Sequence, residues 1–344
     1  MLTDTQIQDL TDSVKKDILS SNIQGLAGDT GLSRQDLDSF LTKLTNRGTP
    51  VRDLLKRKKG NGLAHSFNLR QTLDSDNDPL DLLYAENSIP TVGTPAYTQV
   101  SVPYVRLGKT SVISNFAIAA GRSYADLEAE AVEVATRSVI QAEEWMIING
   151  NNTIANSNGL YPFEGLASFT ATNVISLAGA LTSTDPLDHA IQMIRANGGG
   201  TGRMAVVCSF GIQRKINQLQ QSSGDLRVIF DDPAKTVFGL HTPMYQSPVG
   251  EIPIIGDYFI NPQGKNPYPY NSAGNSSSTS GNTSSTIYIV DLDQLAMVDL
   301  MGLAQVDLAM ITDEKRVMVN EYTVFEVVAE PWIAAITGVT EPTY

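Results

Sequence analysis

The chain has few of the residues on which most enzymes and disulfide-stabilised proteins depend. Its 344 residues include one cysteine, Cys208, and three histidines, His65, His189 and His241. A single cysteine cannot form a disulfide within the chain or supply several thiolates to a metal, and Cys208 lies in an apolar run, so we interpret it as a small buried hydrophobe. The histidines show no HExxH-type spacing. The sequence therefore predicts no catalytic residues, no cofactor and no metal site.

Long apolar runs and a secretion signal are also absent. Runs such as residues 333–336 are far shorter than the roughly 18 residues that a membrane span requires. The first 20 residues alternate Asp, Gln and Lys with Ile and Leu, unlike the basic start and apolar middle of a secretory peptide. Hydrophobic residues make up 42% of the chain and charged residues 18%. We expect a globular protein of one large domain or two lobes, made and kept in a cytoplasm without a membrane partner.

The charge of the chain is negative overall but unevenly placed. The formal net charge of −13 argues against a protein that grips nucleic acid through its overall field. Residues 47–70 nevertheless hold seven basic residues and one acidic residue, and residues 74–86 hold five acidic residues. Blocks of opposite sign would attract across adjacent copies, so we predict that they form contacts between subunits. The basic members are Arg47, Arg52, Lys56, Arg57, Lys58, Lys59 and Arg70, and the acidic members are Asp74, Asp76, Asp78, Asp81 and Glu86.

The first half of the chain is predicted to contain helices on either side of an extended segment. Apolar spacings of three and four predict short helices at 3–20 and 32–46. Many prolines and a strand-like run at 97–113 make residues 49–113 resemble a long hairpin. From Ser123 to Gly150 the apolar residues keep helical spacing, with Ser123 as a capping residue. This predicts a helix of about 25 residues, roughly 37 Å long.

The second half alternates helix and strand patterns. Helices are predicted at 185–196 and 209–221, the second capped by Ser209, with a buried strand at 204–208 between them. The tract 271–285, almost wholly Ser, Gly, Asn and Thr, is typical of a surface loop. Further strands are predicted at 286–292, 295–300, 303–310 and 321–336.

Three motifs that could carry chemistry are better explained by structure. The glycine-rich string at 198–203 follows a helix and precedes a strand, whereas phosphate loops run from a strand to a helix N-terminus, so we predict a turn. The alternating acids of 74–78 resemble a calcium loop, but Pro79 stands where glycine is needed. Glu143 and Glu144 diverge by about 100° on a helix and lie off its apolar stripe, so they would not converge on one substrate.

The order of these segments resembles the subunit of Hong Kong 97-type capsids over residues 32–339. Residues 49–55 look like the strand that follows the N-terminal arm of that family. The run 97–114 leading into 121–123 is similar to the return of its E-loop into its spine helix, and 147–151 resembles the glycine-containing end of that helix. Residues 321–338, with a late aromatic and an apolar end, resemble its closing sheet.

The resemblance implies an α+β fold with six parts. These are an N-terminal arm (1–47), an E-loop region (48–113), a peripheral domain with the spine helix (114–184), an axial domain (185–260), a surface loop (261–286) and a closing sheet (287–344).

The resemblance also implies a function. A family member would be the major capsid protein of a tailed double-stranded-DNA bacteriophage, not an enzyme. It would self-assemble through pentamers and hexamers into an icosahedral shell, in the host cytoplasm, and would end in the virion. Its main partner would be itself, with scaffold, portal and decoration proteins as candidate partners. The packaged DNA would be enclosed without sequence-specific binding.

Two departures from the family and two alternatives accompany this interpretation. The residues before 32 are too few for a built-in scaffolding domain, and Lys109 near the E-loop base has no identifiable partner for a covalent crosslink, so no crosslinking is predicted. An encapsulin-like compartment would share the fold but enclose protein cargo. A soluble α/β enzyme with an unrecognised site would remain a monomer or small oligomer.

Overall fold

The structure is a computed structural model that describes residues 48–72, 79–90, 96–121, 126–169, 172–222, 244–260, 284–309 and 312–340. These residues fall within one compact unit, Asn46–Arg122 together with Asp126–Tyr344. The predicted helices at 3–20 and 32–46, the predicted cap Ser123 and most of the tract 271–285 lie outside the described residues, and the last two residues of that tract, Ser284 and Ser285, are not loop but begin a strand.

The helices and strands follow one another in a mixed order. The helices are α1 (Pro50–Leu54), α2 (Asn115–Gly121), α3 (Leu127–Asn149), α4 (Leu166–Phe169), α5 (Asp185–Ala196) and α6 (Phe210–Ser222). The strands are β1 (Lys56–Lys59), β2 (Ala64–Thr72), β3 (Ala96–Pro103), β4 (Val105–Ser114), β5 (Val174–Ala180), β6 (Met204–Cys208), β7 (Met244–Ser247), β8 (Gly250–Gly256), β9 (Ser284–Asp291), β10 (Leu295–Leu308), β11 (Glu314–Val327) and β12 (Ile333–Thr340). Single 3-10 turns span Pro79–Leu82, Leu292–Gln294 and Glu330–Trp332.

A six-stranded mixed sheet has the order β5-β12-β9-β6-β8-β7. Strand β6 is buried at every position. It lies inside the sheet, between β8, which is parallel to it, and β9, which is antiparallel. Its alternate side chains enter two different cores: Val206 packs with α5 and α6, and Val207 packs with the end of α3. A strand with both faces covered must be apolar throughout, as the sequence of β6 is. The predicted helices at 185–196 and 209–221 are confirmed, and Ser209 Oγ accepts from Ile212 N at 3.3 Å as a cap.

A four-stranded sheet has the order β1-β10-β11-β4. Strand β1 is parallel to β10, and the other neighbours are antiparallel. Helix α3 lies across this sheet, and Leu107 of β4 and Val319 of β11 pack against Ala135 and Val139 of the helix. The odd-numbered residues of β4 therefore face the helix, and the even-numbered residues face away from it.

Helix α3 is the longest helix among the described residues, with 23 residues and a length of about 34 Å. Asp126 caps it by accepting from the N–H groups of Glu128 and Ala129, each at 3.2 Å. Gly150 ends it as predicted, and its N–H donates to Met146 O at 2.8 Å. A Cβ at Gly150 would lie 2.3 Å from Phe163 O, so only glycine fits where the next segment crosses the helix end.

Strands β2 and β3 form a separate antiparallel ribbon, paired from Ala64 opposite Pro103 to Thr72 opposite Ala96. The predicted extended hairpin is thus confirmed in this part of the chain. The run 97–113, predicted as one strand-like segment, is two strands, because β3 belongs to the ribbon and β4 to the four-stranded sheet.

Three predicted element boundaries are wrong. Residues 49–55 do not form a strand but contain helix α1, in which Pro50 opens the first turn and Val51 and Leu54, three residues apart, both face the core. The predicted strands 295–300 and 303–310 are one strand, β10, with irregular register on both sides of Met301. The predicted strand 321–336 is divided between the two sheets by the turn Glu330–Trp332, which contains a proline.

The sheets also cross the predicted domain boundaries, which themselves remain predictions. Strand β4, inside the predicted E-loop region, pairs with β11, and β5, inside the predicted peripheral domain, pairs with β12. The predicted closing sheet is divided, with β9 and β12 in the six-stranded sheet and β10 and β11 in the four-stranded one.

Candidate assembly surface

Two lysines of the basic segment are paired with acids of their own chain. Lys56 Nζ lies 2.7 Å from an oxygen of Asp293, and Lys58 Nζ lies 2.8 Å from an oxygen of Glu326. Both contacts arise from the strand order: β1 pairs with β10, which follows Asp293, and β10 pairs in turn with β11, which carries Glu326. The positive charge of these two lysines therefore has partners outside the acidic segment 74–86.

Two arginines of the same segment form a partly buried cluster with three acids. Arg57 donates to Asp299 and Glu321 at 2.8 Å each and to Glu143 at 2.5 Å. Arg52 also donates to Glu143. The side chains of Glu143 and Glu321 are fully buried, and that of Arg57 is 30% exposed. The cluster joins α1, β1, β10 and β11 to the long helix α3.

The charges in this cluster depend on one another. Burial alone would lower the pKa of Arg57, but the charge of Glu143 and the hydrogen bonds to Asp299 and Glu321 outweigh burial and raise it. Burial raises the pKa of Glu321, and the charge of Glu143 raises it further, while Arg57 acts in the opposite direction. Arg57 is therefore the cation that contacts all three acids and opposes the effect of burial on the pKa of Glu321.

Glu143 and Glu144 lie off the apolar stripe of the helical pattern, yet the structure does not place them on the surface. Both side chains are fully buried. They do diverge as predicted: Glu143 reaches arginine side chains, whereas Glu144 accepts from the backbone N–H groups of Val51 at 2.9 Å and Arg52 at 2.7 Å. The apolar run at 145–148 is the signal that could have shown burial on several faces at this end of the helix.

The other predicted contact residues are only partly covered by the structure. Lys59 and Glu86 are described and exposed. Arg47, Asp74, Asp76 and Asp78, and the side chains of Arg70 and Asp81, lie outside the described residues. Pairing between the basic and acidic segments of different copies therefore stays a prediction.

Exposed apolar side chains are concentrated at residues 79–90, which we call the ribbon tip. Five large apolar residues there are between 64% and 88% exposed: Leu80, Leu82, Leu83, Tyr84 and Ile89. Apolar clusters of this kind on a protein surface usually mark a contact with another molecule. The acids of this segment are visible in the sequence as a block of charge, and the leucines between them are the signal of a contact surface that was not used in the prediction.

The described residues show little that resembles a chemical site. They contain no group of three His, Cys, Asp or Glu side chains that could hold a metal ion. No helix in the described ranges is both long enough and apolar enough to cross a membrane. Cys208 is fully buried at the end of β6, as predicted, and the glycine-rich string forms the turn between α5 and β6, where Gly198 and Gly200 have φ of +80° and +71°.

Solved shell subunits share this architecture at low sequence identity. The capsid of Cyanophage A-1(L) matches with a TM-score of 0.63 and 14% identity, covering 91% of this chain and 99% of that one. The capsid of Myoviridae phage XM1 matches with a TM-score of 0.59 and 12% identity, covering 90% and 100%. The holo-SrpI encapsulin complex of Synechococcus elongatus matches with a TM-score of 0.59 and 10% identity, covering 91% and 96%. The fold is the Hong Kong 97-type capsid fold, as the sequence predicted.

The family follows from the sequence. The model of the SU10 major capsid protein family matches residues 20–340, so the chain belongs to that family and is a major capsid protein. No curated protein matches the chain.

Proposed function

We propose that many copies of this chain assemble through pentamers and hexamers into the icosahedral shell of a tailed bacteriophage, with no catalytic role. The observation that carries the proposal is the ribbon tip, because its apolar side chains lie in water in the single subunit. Full burial of each would contribute up to about 1.5–3 kcal/mol. A second copy supplies the surface that covers them.

Charge pairs contribute less to this assembly than apolar burial does. An exposed ion pair stabilises by about 0–1 kcal/mol, and four basic residues of the predicted contact set have acidic partners inside their own chain. The exposed Lys59 and Glu86, and the set members outside the described residues, are the candidates for pairing between copies. Such pairs would set the register of neighbouring subunits more than their affinity.

The proposed partners extend beyond the subunit itself. Scaffold, portal and decoration proteins are candidate partners, assembly is placed in the host cytoplasm, and the finished shell is placed in the virion. The net charge of −13 suits a container for DNA, because a negative lining would not trap the packaged strand.

The similarity to the encapsulin complex supports a second candidate function, a protein compartment that encloses protein cargo. The two functions differ in the contents of the purified particles. A phage capsid would hold double-stranded DNA when its packaging partners are present, and a compartment would hold protein.

The experiment expresses the full chain and measures particle formation by sedimentation and negative-stain electron microscopy. The variant with Leu82→Asp and Leu83→Asp should lose closed particles while its subunits stay folded, because two charges replace the apolar contacts of the ribbon tip. Leu160→Asp is the matched control, since Leu160 is also an exposed leucine, 65% exposed, but lies outside the tip. Equal particle yields for wild type, tip variant and control would contradict the proposed role of the tip.

A further inference from the structure

Three segments of the subunit meet at two buried carboxyl groups. Glu144 of helix α3 accepts from the first backbone N–H groups of helix α1, those of Val51 and Arg52. Asp257 follows strand β8 of the six-stranded sheet, and its carboxyl group contacts that of Glu144. Glu144 is fully buried and Asp257 is 1% exposed. The pair therefore connects α1, the long helix and the six-stranded sheet.

The two carboxyl groups can form a hydrogen bond with each other only if one of them carries a proton. Asp257 Oδ1 accepts from Phe259 N at 2.6 Å, and Glu144 uses both oxygens as acceptors from α1. Asp257 Oδ2 is buried and has no hydrogen-bond donor among the described residues. Two carboxylates are both acceptors, so a bond between them requires that one of them is protonated.

Among the described residues, no lysine or arginine side chain pairs with Glu144 or Asp257. Of the charged groups on α1, Arg52 directs its guanidinium to Glu143, the neighbour of Glu144 on α3, and Asp53 is 64% exposed. Cys208 of β6 contributes its backbone carbonyl, which accepts from the N–H of Asp257. Burial, followed by the contact with Asp257, raises the pKa of Glu144 well above its usual range, and burial also raises the pKa of Asp257.

We propose that Glu144 and Asp257 share a single proton that fastens helix α1 to the long helix and to the six-stranded sheet, and that loss of this proton releases α1. Helix α1 is followed directly by β1 and then by the β2–β3 ribbon, so its release loosens the base of the ribbon. This device is independent of what the shell encloses.

The sign of the pH effect follows from linkage. The folded subunit holds a proton that both carboxyl groups give up when they are exposed to water. The contribution of the pair to stability is therefore complete at acid pH and is lost as the pH rises above the ordinary range of carboxyl groups. While the pair is still protonated, the equilibrium constant for opening rises up to about tenfold per pH unit.

Hydrogen exchange measured on residues 48–55 of the full-length chain, from about pH 6 to about pH 9, tests the proposal. The wild-type amides should lose protection beyond the increase in intrinsic exchange. Asp257→Asn should remove this pH dependence, because its amide N–H donates to Glu144 at every pH. Glu143→Gln is the matched control, since it changes the adjacent buried acid, and it should weaken protection at every pH but keep the wild-type pH dependence.

Two results would overturn the shared proton. One is a wild-type profile that follows intrinsic exchange alone, and the other is an Asp257→Asn profile with the same pH dependence as wild type. If Asp257→Asn does not fold, infrared spectroscopy of the wild-type chain tests whether a protonated carboxyl group is present. A protonated-carboxyl band at neutral pH that disappears at alkaline pH supports the proposal, and the absence of such a band overturns it.

Discussion

Replacing Arg57 with leucine should destabilise the subunit more than any other single change in the basic segment. The guanidinium of Arg57 binds three carboxylates, and two of these, Glu143 and Glu321, belong to fully buried side chains. Its loss leaves Glu143 with Arg52 alone and leaves Glu321 without its cation. Removing one partner of a buried ion pair costs about 3–5 kcal/mol, because the remaining charge stays in a medium of low polarity.

Chemical denaturation of the purified full-length chain, followed by the fluorescence of its two tryptophans, measures this loss. The matched control is Lys56→Met, because the pair of Lys56 with Asp293 also links β1 to the sheet but is 53% exposed on the lysine side. The control should lose less than about 1 kcal/mol. A double variant, Arg57→Leu with Glu321→Leu, should recover part of the loss, because the uncompensated charge is removed as well. A loss of stability for Arg57→Leu no larger than that of Lys56→Met would contradict the role of Arg57 as the cation of this buried cluster.

Three further changes test other parts of the fold. Gly150→Ala should cost about 1–3 kcal/mol, because its Cβ would meet Phe163 O, whereas Gly48→Ala, whose Cβ would have no atom of the described residues within 4 Å, should be nearly neutral in the same denaturation experiment. Asp126→Ala removes the cap of helix α3 and should cost about 1 kcal/mol, measured as a lower denaturation midpoint. The hydrogen bond that Lys56 donates lowers the pKa of Asp293 to about 2. The stability that this ion pair contributes is therefore present above the ordinary pKa of aspartate and is lost as the pH falls through about 2. Asp293→Asn should therefore weaken the loss of stability in acid, and an unchanged acid profile would contradict that assignment.

The elements with a clear pattern could be predicted from the sequence. The uniformly apolar run 204–208 is typical of a strand covered on both faces, and the regular spacing before Gly150 is typical of a long helix. The extended ribbon was signalled by prolines and by β-branched residues. The order of these elements was sufficient to recognise the capsid fold.

The charged contacts could not be predicted in the same way. The partners of the basic segment, such as Asp299 and Glu321, lie more than 200 residues further along the chain and become neighbours only when β1 pairs with β10. A local excess of charge shows that partners are needed but not whether they belong to the same copy. The helical pattern placed Glu143 and Glu144 off the apolar stripe, because such a pattern assumes that a helix buries only one face. The end of α3 is instead covered by both α1 and the six-stranded sheet.

Electron cryomicroscopy of the particles formed by the full-length chain tests the central claim most directly. We expect closed icosahedral shells built from clusters of five and six subunits, with the ribbon tip of one copy covered by another. A chain that stays a folded monomer or small oligomer under all salt and scaffold conditions would contradict it.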